Sequence, residues 1–137
     1  MRLFRHILER LAFRWRLHRV NSLRFGARGR NVTLHNGSIF TSPERIFFGN
    51  DIYVGPEARF YADGGIRVED NVVFSPRVTI YTSNHRVKGS GWLPYGPVTE
   101  LGEVWVGPNS WIGAQSILLA GVRIGEVAAW MREHAGG

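Results

Sequence analysis

The sequence predicts an all-β chain wound as a parallel β-helix, a triangular prism solenoid, with an N-terminal α-helix and a short C-terminal helix. Three observations carry that prediction. Apolar residues return every six positions through most of the chain. Glycine follows many of them at a fixed phase. Seventeen glycines in 137 residues exceed ordinary usage, as regular turns would require.

The six-residue phase runs through Phe48-Gly49, Val54-Gly55 and Phe60. After a two-residue slip at Gly64-Gly65 it resumes with Val68-Glu69, Phe74-Ser75 and Ile80-Tyr81. It returns as Val106-Gly107, Ile112-Gly113, Leu118-Leu119 and Ile124-Gly125. Four residues after these positions stand the small or branched Ile52, Ala58, Val72, Val78, Ser110, Ser116 and Val122. A helix repeats at 3.6 and an alternating strand at two, so neither fits. Six residues suit a short strand plus a corner, with the apolar residue inward and the glycine permitting the bend. Three such units make a coil, and each coil buries its interior against its neighbours. A β-sandwich would recur at wider, looser intervals.

Residues 1–24 are expected to form a basic amphipathic helix. Leu3, Phe4, Ile7, Leu8, Leu11, Ala12 and Trp15 fall on one helical face, framed by Arg2, Arg5, Arg10, Arg14, Arg16 and Arg19. Arginines interrupt every apolar run, which excludes a membrane span or signal peptide. Packing on the domain or on a partner subunit is the expected role. Peripheral contact with anionic lipid through residues 1–20 is the alternative. The β-helix is expected over 25–126, with a long loop leaving one corner at 83–99. Trp130-Met131 break the phase, so 127–137 read as a helical cap over the open end.

Residues 1–30 hold nine arginines against Glu9 alone, a net of +8, whereas the rest of the chain carries −2. That segregation does not match a nucleic-acid binder, which carries its charge across a folded face. The absence of cysteine excludes disulfides, thiolate metal sites and a cysteine nucleophile. With five scattered histidines, no metal site is expected. A reducing cytoplasm, with the chain peripheral at the inner face of the membrane if residues 1–20 bind lipid, is the expected location.

Two stretches go beyond the fold. One is Ser75-Pro76-Arg77-Val78-Thr79-Ile80-Tyr81-Thr82-Ser83-Asn84-His85. The other is Trp111-Ile112-Gly113-Ala114-Gln115-Ser116-Ile117-Leu118-Leu119-Ala120-Gly121-Val122-Arg123-Ile124-Gly125. On these the region from Ile46 to Gly125 resembles the hexapeptide-repeat acyltransferases, within them the maltose/galactoside O-acetyltransferase-like group. The first stretch resembles the run ending in the family's catalytic histidine, the second its late-coil signature.

The resemblance implies a left-handed winding, a homotrimer with sites between adjacent prisms, acetyl-CoA as donor and no metal. It implies a sugar or polysaccharide precursor as acceptor, and hence a part in polysaccharide biosynthesis. It also assigns roles. His85 would be the general base, a task suited to a side chain that changes charge near working pH. Trp111, Gly113 and Ala114 would line the donor's pantetheine arm. Asp63 and Asn84 would meet the acceptor. Glu100 either orients the imidazole or is a solvated acid. Two alternatives stay open: N-acylation of an amino sugar, and a catalytically degenerate β-helix in an assembly. The second draws on Met131-Arg132, which stand where the resembling enzymes continue with a glycine-rich coil.

Overall fold

The computed structural model describes residues 19–35, 37–86 and 98–125. The expected helices over 1–24 and 127–137 therefore lie largely outside the described residues, apart from a last helical turn at 19–21. No helix among the described residues is long and apolar enough to cross a membrane.

The chain winds in coils of three strands. The first coil holds β1 (Ala27–Arg28), β2 (Val32–Leu34) and β3 (Ile39–Thr41). The second holds β4 (Ile46–Phe48), β5 (Ile52–Val54) and β6 (Arg59–Tyr61), and the third β7 (Ile66–Val68), β8 (Val72–Phe74) and β9 (Thr79–Tyr81). A hairpin of β10 (Ser83–His85) and β11 (Thr99–Leu101) then leaves the prism. The fourth coil holds β12 (Val104–Val106), β13 (Trp111–Ile112) and β14 (Ile117–Leu118), and β15 (Arg123–Ile124) begins another. The strands stack into three parallel faces. The first face is β1-β4-β7-β12-β15, the second β2-β5-β8-β13 and the third β3-β6-β9-β14. The first edge joins the first face to the second, the second edge joins the second to the third, and the third edge returns to the first.

The apolar residues of the six-residue phase all point inward where the prism is closed. Phe48, Val54, Phe60, Val68, Phe74, Ile80, Val106, Ile112 and Leu118 are buried. Ile52, Ala58, Val72, Val78 and Ser110 bury beside them. Phe60 sits edge-on to Phe40 below it, centroids 5.3 Å apart, and to Phe74 above it at 5.1 Å. Such pairs add about 0.5–1.5 kcal/mol each beyond area burial. Phe25 closes the bottom of this column, 5.4 Å from Phe40 and 5.3 Å from Phe48.

The structure changes the reason for the glycines. The bend lies two residues beyond them, where the left-handed residues stack coil on coil. On the first edge these are Asn31, Asp51, Asn71 and Asn109, with φ between 53° and 59°. On the second they are Gly37, Glu57, Arg77 and Gln115. The repeat glycines serve close approach between coils instead. A Cβ on Gly49 would lie 2.3 Å from Asp70 Oδ1, and one on Gly55 2.9 Å from the Phe74 carbonyl oxygen.

Coil length also varies. Strand partners are twenty residues apart from the first coil to the third, as in Phe47↔Arg67. From the fourth coil onward the offset is eighteen, as in Trp105↔Arg123. The extra residues sit on the third edge, at 42–45 and 62–65, directly beneath the point where the hairpin departs.

Candidate functional site

The third edge carries His85, and its construction explains how that residue is placed. Thr82 is the last residue of the coil before the hairpin and is fully buried. Its hydroxyl donates to the Tyr61 carbonyl at 2.7 Å and accepts from the Gly64 N–H at 2.8 Å. Its carbonyl accepts from the Gly102 N–H at 2.8 Å, where β11 rejoins the prism. Gly64 must be glycine for this contact, since a Cβ would lie 2.4 Å from the Thr82 carbonyl oxygen. One residue thus ties both strands of the hairpin to the coil below, through its carbonyl to Gly102 and its hydroxyl to Tyr61 and Gly64.

Beyond that root, Ser83 pairs with Leu101, Asn84 with Glu100 and His85 with Thr99. Alternation along the strands puts His85 on one face of the hairpin with Ser83, Thr99 and Leu101. Asn84, Arg86 and Glu100 occupy the other face. The Arg86 guanidinium donates to Glu100 Oε1 at 2.9 Å. Glu100 is therefore engaged with Arg86 on the face of the hairpin away from His85. The imidazole is exposed, and among the described residues no group is hydrogen-bonded to it.

Asp63 lies on the same edge, one coil lower, and is exposed. Its carboxylate accepts from the Ser42 hydroxyl at 2.8 Å, and its carbonyl accepts from the Arg45 guanidinium. The stacked tyrosines Tyr61 and Tyr81, centroids 5.2 Å apart, flank this edge on the third face.

The remaining sequence-predicted residues lie elsewhere. Trp111 is 73% exposed on the second face, and its indole N–H donates to the Ser75 hydroxyl at 2.9 Å. Gly113 and Ala114 are exposed on the second edge. Gly113 leaves open space, since a Cβ there would meet nothing nearer than Ser116 Oγ at 3.8 Å. By register Ala114 falls above Pro76 and Pro56, because the Gln115 N–H donates to the Pro76 carbonyl and the Arg77 N–H to that of Pro56. Proline offers no N–H. Ala114 restores one at this place, and no described group accepts it.

The structure thus gathers His85, Asn84 and Asp63 on the third edge, and Trp111, Gly113 and Ala114 on the second face and second edge. Within one chain the two groups stay apart. The strand Thr79–Tyr81 of the third face lies between those edges, a span of roughly 10 Å at about 3.3 Å per residue. Sequence reasoning missed Thr82, Gly64 and Ser42. Their signal is a Thr in an inward slot and a Gly at the turn where the phase slips. No group of three or more metal-ligating side chains occurs among the described residues.

No protein-family model matches the chain. It is similar to the galactoside O-acetyltransferase of Lactococcus lactis, 35% identical over 83 residues, which is 61% of this chain and 39% of that enzyme. The chain therefore spans well under half the length of that relative. Its fold superposes on a galactoside acetyltransferase in complex with coenzyme A with a TM-score of 0.66 and 20% identity, covering 83% of this chain and 63% of the other. It also superposes on AntD, an N-acyltransferase from Bacillus cereus in complex with dTDP and 3-hydroxybutyryl-CoA. There the TM-score is 0.55 and the identity 19%, with 80% of this chain and 74% of the other covered. The fold is that of the left-handed parallel β-helix acetyltransferases.

Proposed function

We propose that this chain is a CoA-dependent O-acetyltransferase that moves an acetyl group from acetyl-CoA to a hydroxyl of a sugar or polysaccharide precursor. In this reading His85 is the general base. The site forms where the third edge of one copy meets the second edge of the next in a homotrimer. The observation that carries it is the exposed imidazole, on a hairpin whose root is bonded through Thr82, on a prism similar to galactoside O-acetyltransferases. The separation of the two residue groups supports the shared site, because within one chain the strand Thr79–Tyr81 lies between the base and the donor row.

The chemistry then follows from the residues. His85 takes the acceptor hydroxyl's proton as the oxygen attacks the thioester carbonyl. The Ala114 N–H meets the oxyanion that develops there; preorganised donors at such a position are among the strongest catalytic effects. The C–S bond breaks as the tetrahedral carbon collapses to the ester, and the imidazolium returns its proton to the leaving thiolate. Asp63, held by Ser42, presents its free oxygen to the acceptor. Asn84 stands on the opposite face of the hairpin from His85 and would reach only a part of the acceptor remote from the reacting hydroxyl. Trp111, fixed by Ser75, would flank the pantetheine arm.

The test is thiol release from acetyl-CoA with a panel of sugars. His85→Ala should lose turnover by about 10²–10⁴, the range for a general base, while keeping its melting curve because the residue is exposed. Gly113→Val should block the donor row without disturbing the fold, since space is open there. Co-assembly of these two inactive variants should regain activity. No regain would break the shared-site assignment, and no turnover by the unaltered chain would break the enzyme reading. N-acylation of an amino sugar is a second reading, favoured by the likeness to AntD. Amino sugars in the panel separate the two.

A further inference from the structure

A cleft of about 450 Å³ opens along the second edge, lined by Gly37, Glu57, Arg59, Arg77 and Thr79. Arg77 is the left-handed residue of its coil, with φ 61°, a conformation uncommon for a long charged side chain. Arg59 points outward from β6 beside Thr79 of β9. Most other arginines of the body are engaged. Arg67 lies over Phe47 and near Glu103, and Arg123 lies over Trp105. Arg86 pairs with Glu100, Arg45 with the Asp63 carbonyl, and Arg28 with Asn21 and the Val32 carbonyl. Among the described residues neither Arg59 nor Arg77 reaches a carboxylate within ion-pair distance. Two arginines lining one open cleft suit a phosphate group, which accepts paired hydrogen bonds from guanidinium. The single acid, Glu57, leaves the lining with a net positive charge.

Position decides whose phosphate it is. The Gln115 N–H bonds to the Pro76 carbonyl, so Arg77 lies one coil below the donor row of Gly113 and Ala114. Arg59 belongs to the coil below that. Coils are about 4.8 Å apart. We propose that the Arg59–Arg77 cleft binds a phosphate or diphosphate carried by the acceptor, which is then a phosphorylated or nucleotide-type sugar and not a free one. This rests on the reading that the thioester faces the Ala114 N–H. The donor's own phosphates are separated from its thioester by the whole pantetheine arm. A group one or two coils from the reacting carbonyl therefore belongs to the other substrate.

The experiment is isothermal titration of the full chain with inorganic pyrophosphate at low salt, with acetyl-CoA titrated in parallel. The double variant Arg59→Gln/Arg77→Gln should bind pyrophosphate at least tenfold more weakly. Gln115 already occupies the left-handed position one coil up, so the backbone tolerates glutamine at 77. Arg30→Gln, an exposed arginine on another edge, should bind as the unaltered chain does. Glu57→Gln should bind severalfold more tightly, since it removes the cleft's one repulsive charge. Acetyl-CoA affinity should be the same in all four proteins. No pyrophosphate binding by the unaltered chain, or equal weakening in Arg30→Gln, overturns the site. A tenfold loss of acetyl-CoA affinity in the double variant overturns the acceptor assignment and gives the cleft to the donor. These titrations need no turnover, so they succeed or fail apart from the role of His85.

Discussion

The first and third edges of the prism are built from the same chain on opposite plans. On the first edge every coil turns at the same place, on Asn31, Asp51, Asn71 and Asn109, all left-handed. The rungs bond to one another, Asn31 Nδ2 to Asp51 Oδ1 and Asn71 Nδ2 to Asn109 Oδ1, each at 2.8 Å. On the third edge no two turns match. A 3₁₀ turn at Pro43–Arg45 is followed by a Gly-Gly turn at 62–65, then the hairpin, then a tight return at 119–122. Repetition lets each turn satisfy the one above it and needs only a residue type that tolerates left-handed backbone. An irregular edge cannot share that scheme, so its polar groups need individual partners. It can, however, carry a group that occurs only once, and it carries His85.

The sharpest way to break the contrast is at Thr82. Thr82→Val keeps the shape of the side chain and removes the hydroxyl. The Gly64 N–H loses its acceptor, which should cost about 1–3 kcal/mol, read as a lower denaturant midpoint with an unchanged slope. Because the lost hydroxyl bonds fix the hairpin root to the coil below, turnover should fall further than stability alone predicts, while acetyl-CoA affinity stays. Thr82→Ser should restore most of both. Equal turnover in Thr82→Val and the unaltered chain would show that the root does not position His85.

The first edge should respond differently. Asn71→Ala places an ordinary residue at φ 59° and should cost about 1–2 kcal/mol. Asn71→Gly loses the same bond to Asn109 but relieves the backbone, so it should cost less. Neither should alter turnover once the protein is folded. A Gly variant as unstable as the Ala variant would mean that the side-chain ladder, and not backbone tolerance, stabilises this edge.

The prism was legible in the sequence because each inward position repeats. Phe48 through Leu118 could be placed on the core by counting sixes. The first coil escaped the count: Phe40 precedes Phe48 by eight residues, as Phe60 precedes Val68, but no Gly-Gly pair marks the slip there. His85 and the late-coil residues were found by resemblance. Their distribution over different edges was not, because it depends on which corner each turn forms. The hairpin faces were also hidden: whether Glu100 meets His85 or Arg86 depends on a register that the intervening loop sets. The Arg59–Arg77 cleft joins residues of different coils, nearly a full turn apart, and no local motif marks it.

The smallest expected effect tests that hairpin register. Glu100 pairs with Asn84, and its carboxylate takes the Arg86 guanidinium on the face away from His85. Both side chains are about half exposed, and such surface pairs contribute about 0–1 kcal/mol. Glu100→Gln should therefore leave stability within that range and turnover within about twofold, with an unchanged pH profile. If Glu100 instead oriented the imidazole, its loss would lower turnover by far more than twofold. A flat comparison across pH would place Glu100 with the structural side of the hairpin, and leave any partner that orients His85 to the neighbouring copy or the acceptor.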